Sequence, residues 1–188
     1  YTDEDRYVPR SGVINNTWSS LYAANGMDVA LLKKIANNKG LDNYKGVALV
    51  LQAYITSTLT DLFGPVPYTE AWRSAVEDGN ILSPAYDSQE SIYRSLIDSL
   101  DLANTLLSAD NEEIEGDILY GGDPDAWKKS ANSLRMRLLL RMSSRDEAFV
   151  TTELSAMVAD PATYPIFESN ADNAALVYLG SAPNNNPI

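Results

Sequence analysis

The sequence contains no cysteine and no histidine. The first absence excludes disulfides, thiolate metal sites and cysteine nucleophiles, and it leaves the redox compartment unreadable. The second removes the usual general base near neutral pH and the commonest transition-metal ligand, so a Ser-His-Asp triad cannot be assembled from these residues. Positive charge is also scarce: 14 basic residues stand against 26 acidic ones, a net charge of -12. That field repels phosphate backbones, and the basic residues form no stripe along the sequence, so nucleic acid is not an expected partner. Anionic membrane surfaces are disfavoured for the same reason. No stretch approaches the roughly 18 consecutive apolar residues of a membrane span. Any catalysis would rest on carboxylates, tyrosines, lysines or a bound hard cation.

What is present suits one globular domain or a portion of a larger one. The 188 residues are 45% apolar and 21% charged, ordinary for a packed core with a solvated surface. The chain opens on Tyr1-Thr2-Asp3-Glu4-Asp5, without methionine or an apolar export segment, and closes on Pro183-Asn184-Asn185-Asn186-Pro187-Ile188, which is loop chemistry. The expectation is a piece of a longer protein.

The pattern is helical almost throughout. Residues 1–15 read as an irregular entry, and Asn16 or Thr17 can cap a helix with Trp18, Leu21, Tyr22, Val29, Leu32 and Ala36 as its apolar stripe, interrupted at Asn25. Gly40 stops it. A second helix is expected over about Asp42 to Phe63, with Val47, Val50, Leu51 and Tyr54 on its apolar face. Gly64, in a left-handed conformation, closes it, and Pro65 and Pro67 hold the exit extended. Residues 64–87 form a long connection, bracketed at its start by Phe63 and Tyr68.

Asp87 or Ser88 caps the third helix, whose face is Ile92, Leu96, Leu100, Ala103, Leu106 and Leu107. An acidic loop follows over residues 110–125. Asp123 and Pro124 then open the fourth helix, which carries Trp127, Ala131, Leu134, Leu138 and Met142 to about Ser143. A shorter fifth helix covers about Arg145 to Val158. Beyond it, residues 164–167 are expected to be extended and 174–179 to pair briefly as a strand. The fold class is therefore all-α: tetratricopeptide-like antiparallel hairpins over 16–63 and 88–143, with long loops and a short helix and irregular tail over 144–188.

Four stretches together carry a family resemblance. They are Asn15-Asn16-Thr17-Trp18-Ser19-Ser20-Leu21-Tyr22 with Asn25, then Thr60-Asp61-Leu62-Phe63-Gly64-Pro65-Val66-Pro67-Tyr68-Thr69-Glu70-Ala71, then Pro84-Ala85-Tyr86-Asp87-Ser88-Gln89-Glu90-Ser91-Ile92-Tyr93 continuing to Asp101-Leu102-Ala103, and finally Gly116-Asp117-Ile118-Leu119-Tyr120-Gly121-Gly122-Asp123 with Trp127 to Arg137. In order and spacing they resemble the SusD/RagB-like outer-membrane nutrient-binding lipoproteins of Bacteroidetes, in their SusD-like subgroup. The resemblance implies a tetratricopeptide-like helical fold on the cell surface. It also implies capture of a glycan or other oligomeric nutrient, handed to a TonB-dependent, SusC-like transporter. Such proteins are usually more than twice this long and hold to the membrane by a lipid anchor, whose residues are absent here, so the chain resembles an N-terminal-half portion.

A carbohydrate site needs exposed aromatic rings with amide, carboxylate or guanidinium groups beside them. Trp72 and Arg73, next to Tyr68 and Glu70, are the best such group, and two readings of Trp72 stand open: a sugar platform, or a loop tryptophan tucked onto the second helix. Trp18 with Asn15 and Asn16 is the second candidate, against a reading of Trp18 as the first core residue of its helix. Trp127 and Tyr120 read as packing anchors and Asn132 as a tie for a loop backbone. One of Arg135 and Arg137 is expected to pair with Asp117 or Asp123.

Asn111, Glu113 and Glu115 mimic the start of an EF-hand loop, but Gly122 falls where a bidentate acid is required, so no metal or other cofactor is expected. No carboxylate pair is marked by an apolar environment, and the chain is not expected to be an enzyme. Two other functions stay open beside the nutrient binder: a carboxylate-dependent helical glycosidase and a helical-repeat scaffold for proteins.

Overall fold

The helical periods of the sequence are realised in a computed structural model that describes residues 11–73, 81–176 and 178. The elements are α1 (Ser11–Trp18), a π-helical segment (Ser19–Asn25), α2 (Gly26–Lys39), α3 (Asp42–Phe63), α4 (Gln89–Leu106), α5 (Pro124–Met142), α6 (Glu147–Ala159) and a 3-10 turn (Asn170–Asp172). Each long helix packs on the next, α2 on α3, α3 on α4, α4 on α5 and α5 on α6. That is the stacked-hairpin order expected from the apolar periodicity.

The ends of the helices follow local chemistry. Gly40, at φ 66°, closes α2 in the left-handed conformation. Ser88 caps α4 by accepting from the Ser91 N–H, and Asp123 caps α5 with Pro124 in its first turn. Asp146 accepts from Phe149 N–H at the start of α6. Leu41 gives α3 no side-chain cap. The acidic loop supplies what is missing: the Glu112 carboxylate accepts the Tyr44 N–H at 3.1 Å. Asn43 meanwhile bonds the Ser108 backbone on both sides. The acidic loop is thus tied to the first turn of α3.

The core lies between α3, α4 and α5. Ile92, Leu96, Leu100, Ala103 and Leu107 are fully buried, as are Ala131 and Leu138 opposite them. α3 is long and apolar enough to cross a membrane, but two-thirds of its most apolar window, 67%, is buried inside the protein, as befits a core helix. Arg135 is also inside, held by Asp101 at 2.5 Å and Glu153 at 2.7 Å. Asn132 donates to Asn104 Oδ1 and to the Pro165 carbonyl, tying the chain after α6 to the core.

Several sequence expectations are corrected. The first helix begins at Ser11, not at 16 or 17, so residues 11–15 are helical and Asn16 caps nothing. Thr17 instead bonds back to the Val13 carbonyl. The interruption at Asn25 is a π turn, in which the Gly26 N–H reaches the Leu21 carbonyl. Gly64 has φ 74° and ψ -129°, a glycine conformation outside the left-handed helical well. Tyr54 is 55% exposed. Arg135 takes its partners from α4 and α6 and none from the acidic loop. Residues 164–167 and 174–176 form no strand; positions 177 and 179 of the expected strand lie outside the described residues, as do residues 1–10 and 74–80.

Candidate functional site

The connection after α3 is held rigid by its own backbone and two carboxylates. Val66 is fully buried, and its carbonyl accepts the Asp87 N–H at 3.0 Å in an isolated antiparallel bridge. The Asp87 carboxylate returns the favour by accepting Tyr68 N–H and Thr69 N–H, both at 2.9 Å. Glu70 accepts the Ala85 N–H at 2.8 Å. Burial pushes the Tyr68 phenol up, with Asp87 and Asp98 adding to the shift, so it stays a neutral hydroxyl at physiological pH.

Trp72 comes next, and it is not an open platform. It is 7% exposed, and its φ of 60° is the one positive value outside glycine among the described residues. Such a conformation costs about 1–3 kcal/mol and persists only where the surroundings fix it. Here the indole N–H donates to the Tyr22 carbonyl at 2.7 Å, and the ring leans on the Tyr22 ring at 5.0 Å. Tyr22 stacks on Trp18 at 4.8 Å, and Trp18 meets Phe63 edge-on at 5.2 Å. A row of four aromatic rings therefore ties the connection to the helix that precedes α3. The physical cause is Gly26: a Cβ there would lie 2.3 Å from Trp72 Cζ2, so only glycine admits the indole. The tryptophan is tucked inward as the second reading held, but onto α2 and the π segment rather than onto α3.

Behind this row lies a depression of about 480 Å³ between α2, α3 and the connection. Tyr68, Trp72 and Arg73 line it, so three of the six expected site residues are brought together. Trp18 stands behind Trp72 in the aromatic row, and Asn15 and Asn16 are exposed on α1; none of these three lines the depression. The lining also contains Lys33, Lys34, Asn37, Asn38, Lys45 and Gln52, which the sequence reading left out. A signal for them existed. Lys33 and Asn37, and likewise Lys34 and Asn38, are four apart and share one face of α2. Lys33 Nζ donates to Gln52 Oε1 at 2.6 Å, and Lys45 Nζ to Asn37 Oδ1 at 3.1 Å. Among the described residues the lining offers ammonium groups and planar amides to a ligand.

Two other cavities are explained differently. One of about 640 Å³ is lined largely by ions that pair with one another, Arg94 with Glu90 and Asp146 and Arg141 with Asp61, beside Arg145. The other, about 530 Å³ between α3 and α5, is walled by Leu51, Tyr54, Leu119, Trp127 and Phe167 and is mostly apolar. Trp127 and Tyr120 are packing residues there, in edge-on contact at 5.1 Å. The Asp117 carboxylate accepts from Trp127 Nε1, Leu119 N–H, Tyr120 N–H and Gly122 N–H, so its oxygens organise the loop. Burial pushes that carboxyl up and the four donors outweigh it, leaving it below the usual carboxylate range.

With this geometry in view, comparisons place the chain. The model of a SusD-like family, described as starch-binding and associating with the outer membrane, matches residues 1–188. The chain belongs to the SusD-like family. Its fold matches a solved chitin-binding protein with 31% identity and a TM-score of 0.79, over 90% of this chain and 35% of that one. A SusD homologue from Parabacteroides distasonis aligns at 27% identity and TM-score 0.77, over 89% of this chain and 32% of that one. A Bacteroidetes SusD-like protein aligns at 26% identity and TM-score 0.77, over 91% and 30%. The chain thus spans about a third of the length of these solved relatives. No curated protein matches it.

Proposed function

We propose that this SusD-like chain belongs to the nutrient-capturing component of an outer-membrane uptake system. It holds an oligosaccharide without cleaving it and passes it to a TonB-dependent, SusC-like transporter, from a surface position maintained by a lipid anchor. Family membership carries this reading, since the family is described as starch-binding and associating with the outer membrane. The chitin-binding relative adds a glycan ligand on the same fold. The depression at Tyr68, Trp72 and Arg73 supports binding over turnover. Glycoside hydrolysis needs two carboxylates facing one bond, whereas the lining groups among the described residues are ammonium, guanidinium, amide and phenol.

Within the site, Arg73 and Tyr68 are the groups that meet ligand, and Trp72 is the wall that fixes them. A thermal-shift screen against chitin, plant, host and microbial oligosaccharides tests the assignment, because a ligand held by the native state raises the melting temperature by mass action. A rise with at least one glycan, and no release of reducing ends, is the expected result. Reducing ends released from any of them would put the carboxylate glycosidase ahead. No shift with any glycan, together with capture of a protein partner, would favour the scaffold.

A further inference from the structure

The core helix keeps one apolar face open. On α3, Val50 is buried, Leu51 is half-buried and Tyr54 is 55% exposed, although all three line the mostly apolar groove of about 530 Å³ between α3 and α5. Exposed apolar ground rimmed by polar groups marks a contact surface rather than a finished exterior. The polar group here is Arg137, half-buried in the groove and without a hydrogen bond or ion pair among the described residues. Its neighbours on α5 differ: Arg135 holds two carboxylates and Arg141 one. A guanidinium set among apolar side chains matches a carboxylate through two parallel hydrogen bonds.

The chain after α6 is led to this groove and fastened there. Asn132 Nδ2 donates to the Pro165 carbonyl at 3.0 Å, the Phe167 N–H donates to Ser133 Oγ at 2.8 Å, and Lys129 pairs with Asp172 at 2.8 Å. Phe167 and Ala174 then line the groove, and beyond them Leu176 and Tyr178 are 44% and 48% exposed. The solved relatives of this fold are far longer, this chain spanning about a third of their length. Elements of a domain bury their apolar faces against other elements. The groove supplies such a face, and the chain has already reached it.

We infer that the groove between α3 and α5 is the seat of polypeptide that follows residue 188 in a longer SusD-like protein. An apolar segment of it covers Tyr54 and Phe167, and a carboxylate of it meets Arg137. Glycan binding at Tyr68 and Arg73 is not needed for this docking, so either can fail alone. Hydroxyl-radical footprinting of the 188-residue chain and of the longer protein from its natural source reads the exposure of Tyr54. The ring should be labelled in the chain alone and protected several-fold in the longer protein. Tyr54→Asp and Arg137→Glu give an energetic readout by denaturant unfolding. In the 188-residue chain each should change the unfolding equilibrium constant by less than about threefold, as surface substitutions do. In the longer protein each should raise it at least about tenfold, because each leaves an unpaired carboxylate buried in the seam. Equal labelling of Tyr54 in the two proteins, or equal losses from the substitutions in both, overturns the inference. So does a natural protein that ends at residue 188. Protection of Tyr54 in the short chain that grows with concentration overturns it as well, by seating a second copy there instead.

Discussion

If Trp72 is admitted only because residue 26 lacks a Cβ, then the effect of adding that Cβ must depend on whether the indole is there. Gly26→Ala in a helix would ordinarily stabilise by about 1 kcal/mol, through propensity alone. In this protein the new methyl would fall 2.3 Å from Trp72 Cζ2 and 2.8 Å from Cε2. The ring cannot simply swing aside, because its N–H is bonded to the Tyr22 carbonyl at 2.7 Å. Overpacking costs about 1–3 kcal/mol, and losing the indole hydrogen bond about 1 kcal/mol more. Net of the propensity gain, Gly26→Ala should destabilise by about 1–3 kcal/mol. For a chain of this size each kcal/mol lowers the melting temperature by about 2–4 °C.

Trp72→Ala alone should cost about 3–5 kcal/mol, as for other buried tryptophans. In that background Gly26→Ala should become neutral or stabilising, held back only by the Leu21 carbonyl 3.1 Å away. Denaturant unfolding of the four proteins measures the cycle. A stabilised Gly26→Ala single variant, or the same loss in both backgrounds, would refute the claim that the glycine exists for the tryptophan.

Two further perturbations probe what holds the loops. Asp117→Asn puts an amide N–H₂ against backbone and indole donors, and should cost about 1–3 kcal/mol by urea unfolding. The pH dependence has a fixed sign: the folded pKa of Asp117 lies below its unfolded value, so its contribution is present above the unfolded pKa near 4 and is lost as pH falls through the folded value. Asp146, held down first by Arg94, and Asp172, held down first by Lys129, act in the same direction. Stability should therefore drop below about pH 4, and the acid limb should be shallower in Asp117→Asn. Arg135→Met strips Asp101 and Glu153 of their common partner and should cost about 1.5–3 kcal/mol. Arg135→Lys should restore less than half of that, since one ammonium cannot fork between two carboxylates.

The helices were legible because their signals are local. Asp42 and Phe63 bound α3 in the sequence and in the structure alike, since Gly40 before it and Gly64-Pro65 after it leave no choice. The apolar faces of α4 and α5 were legible because a period of 3.6 was unbroken. Tyr54 was misread because it falls at helical spacing from Val47 and Val50, yet points into a cavity that α5 does not fill. The interruption at Asn25 was legible but its π geometry was not, since i→i+5 pairing such as Gly26 N–H to the Leu21 carbonyl leaves no signal in composition. The site was half legible. Tyr68, Trp72 and Arg73 were found from their chemistry. Lys33, Lys34 and Lys45 were not, because their spacing marks a shared helix face but the folding of α2 onto α3 is what brings them beside residues 23 to 40 positions away in the sequence.

Rigidity of the connection decides how a ligand would be met. Asp87 reaches the lining through Tyr68 and Thr69, whose N–H groups it holds, together with the Thr69 hydroxyl at 3.0 Å. Asp87→Ala leaves those donors to water and should cost about 1–3 kcal/mol of stability. If the depression is preformed by this clamp, the same substitution should also weaken glycan binding, since the ligand would then have to order the connection itself. Its signature would be a less favourable binding entropy, and a Trp72 fluorescence spectrum shifted to the red in the free protein. A protein that melts earlier but binds with unchanged affinity and entropy would show that Asp87 supports the fold and that the depression is shaped by the aromatic row alone.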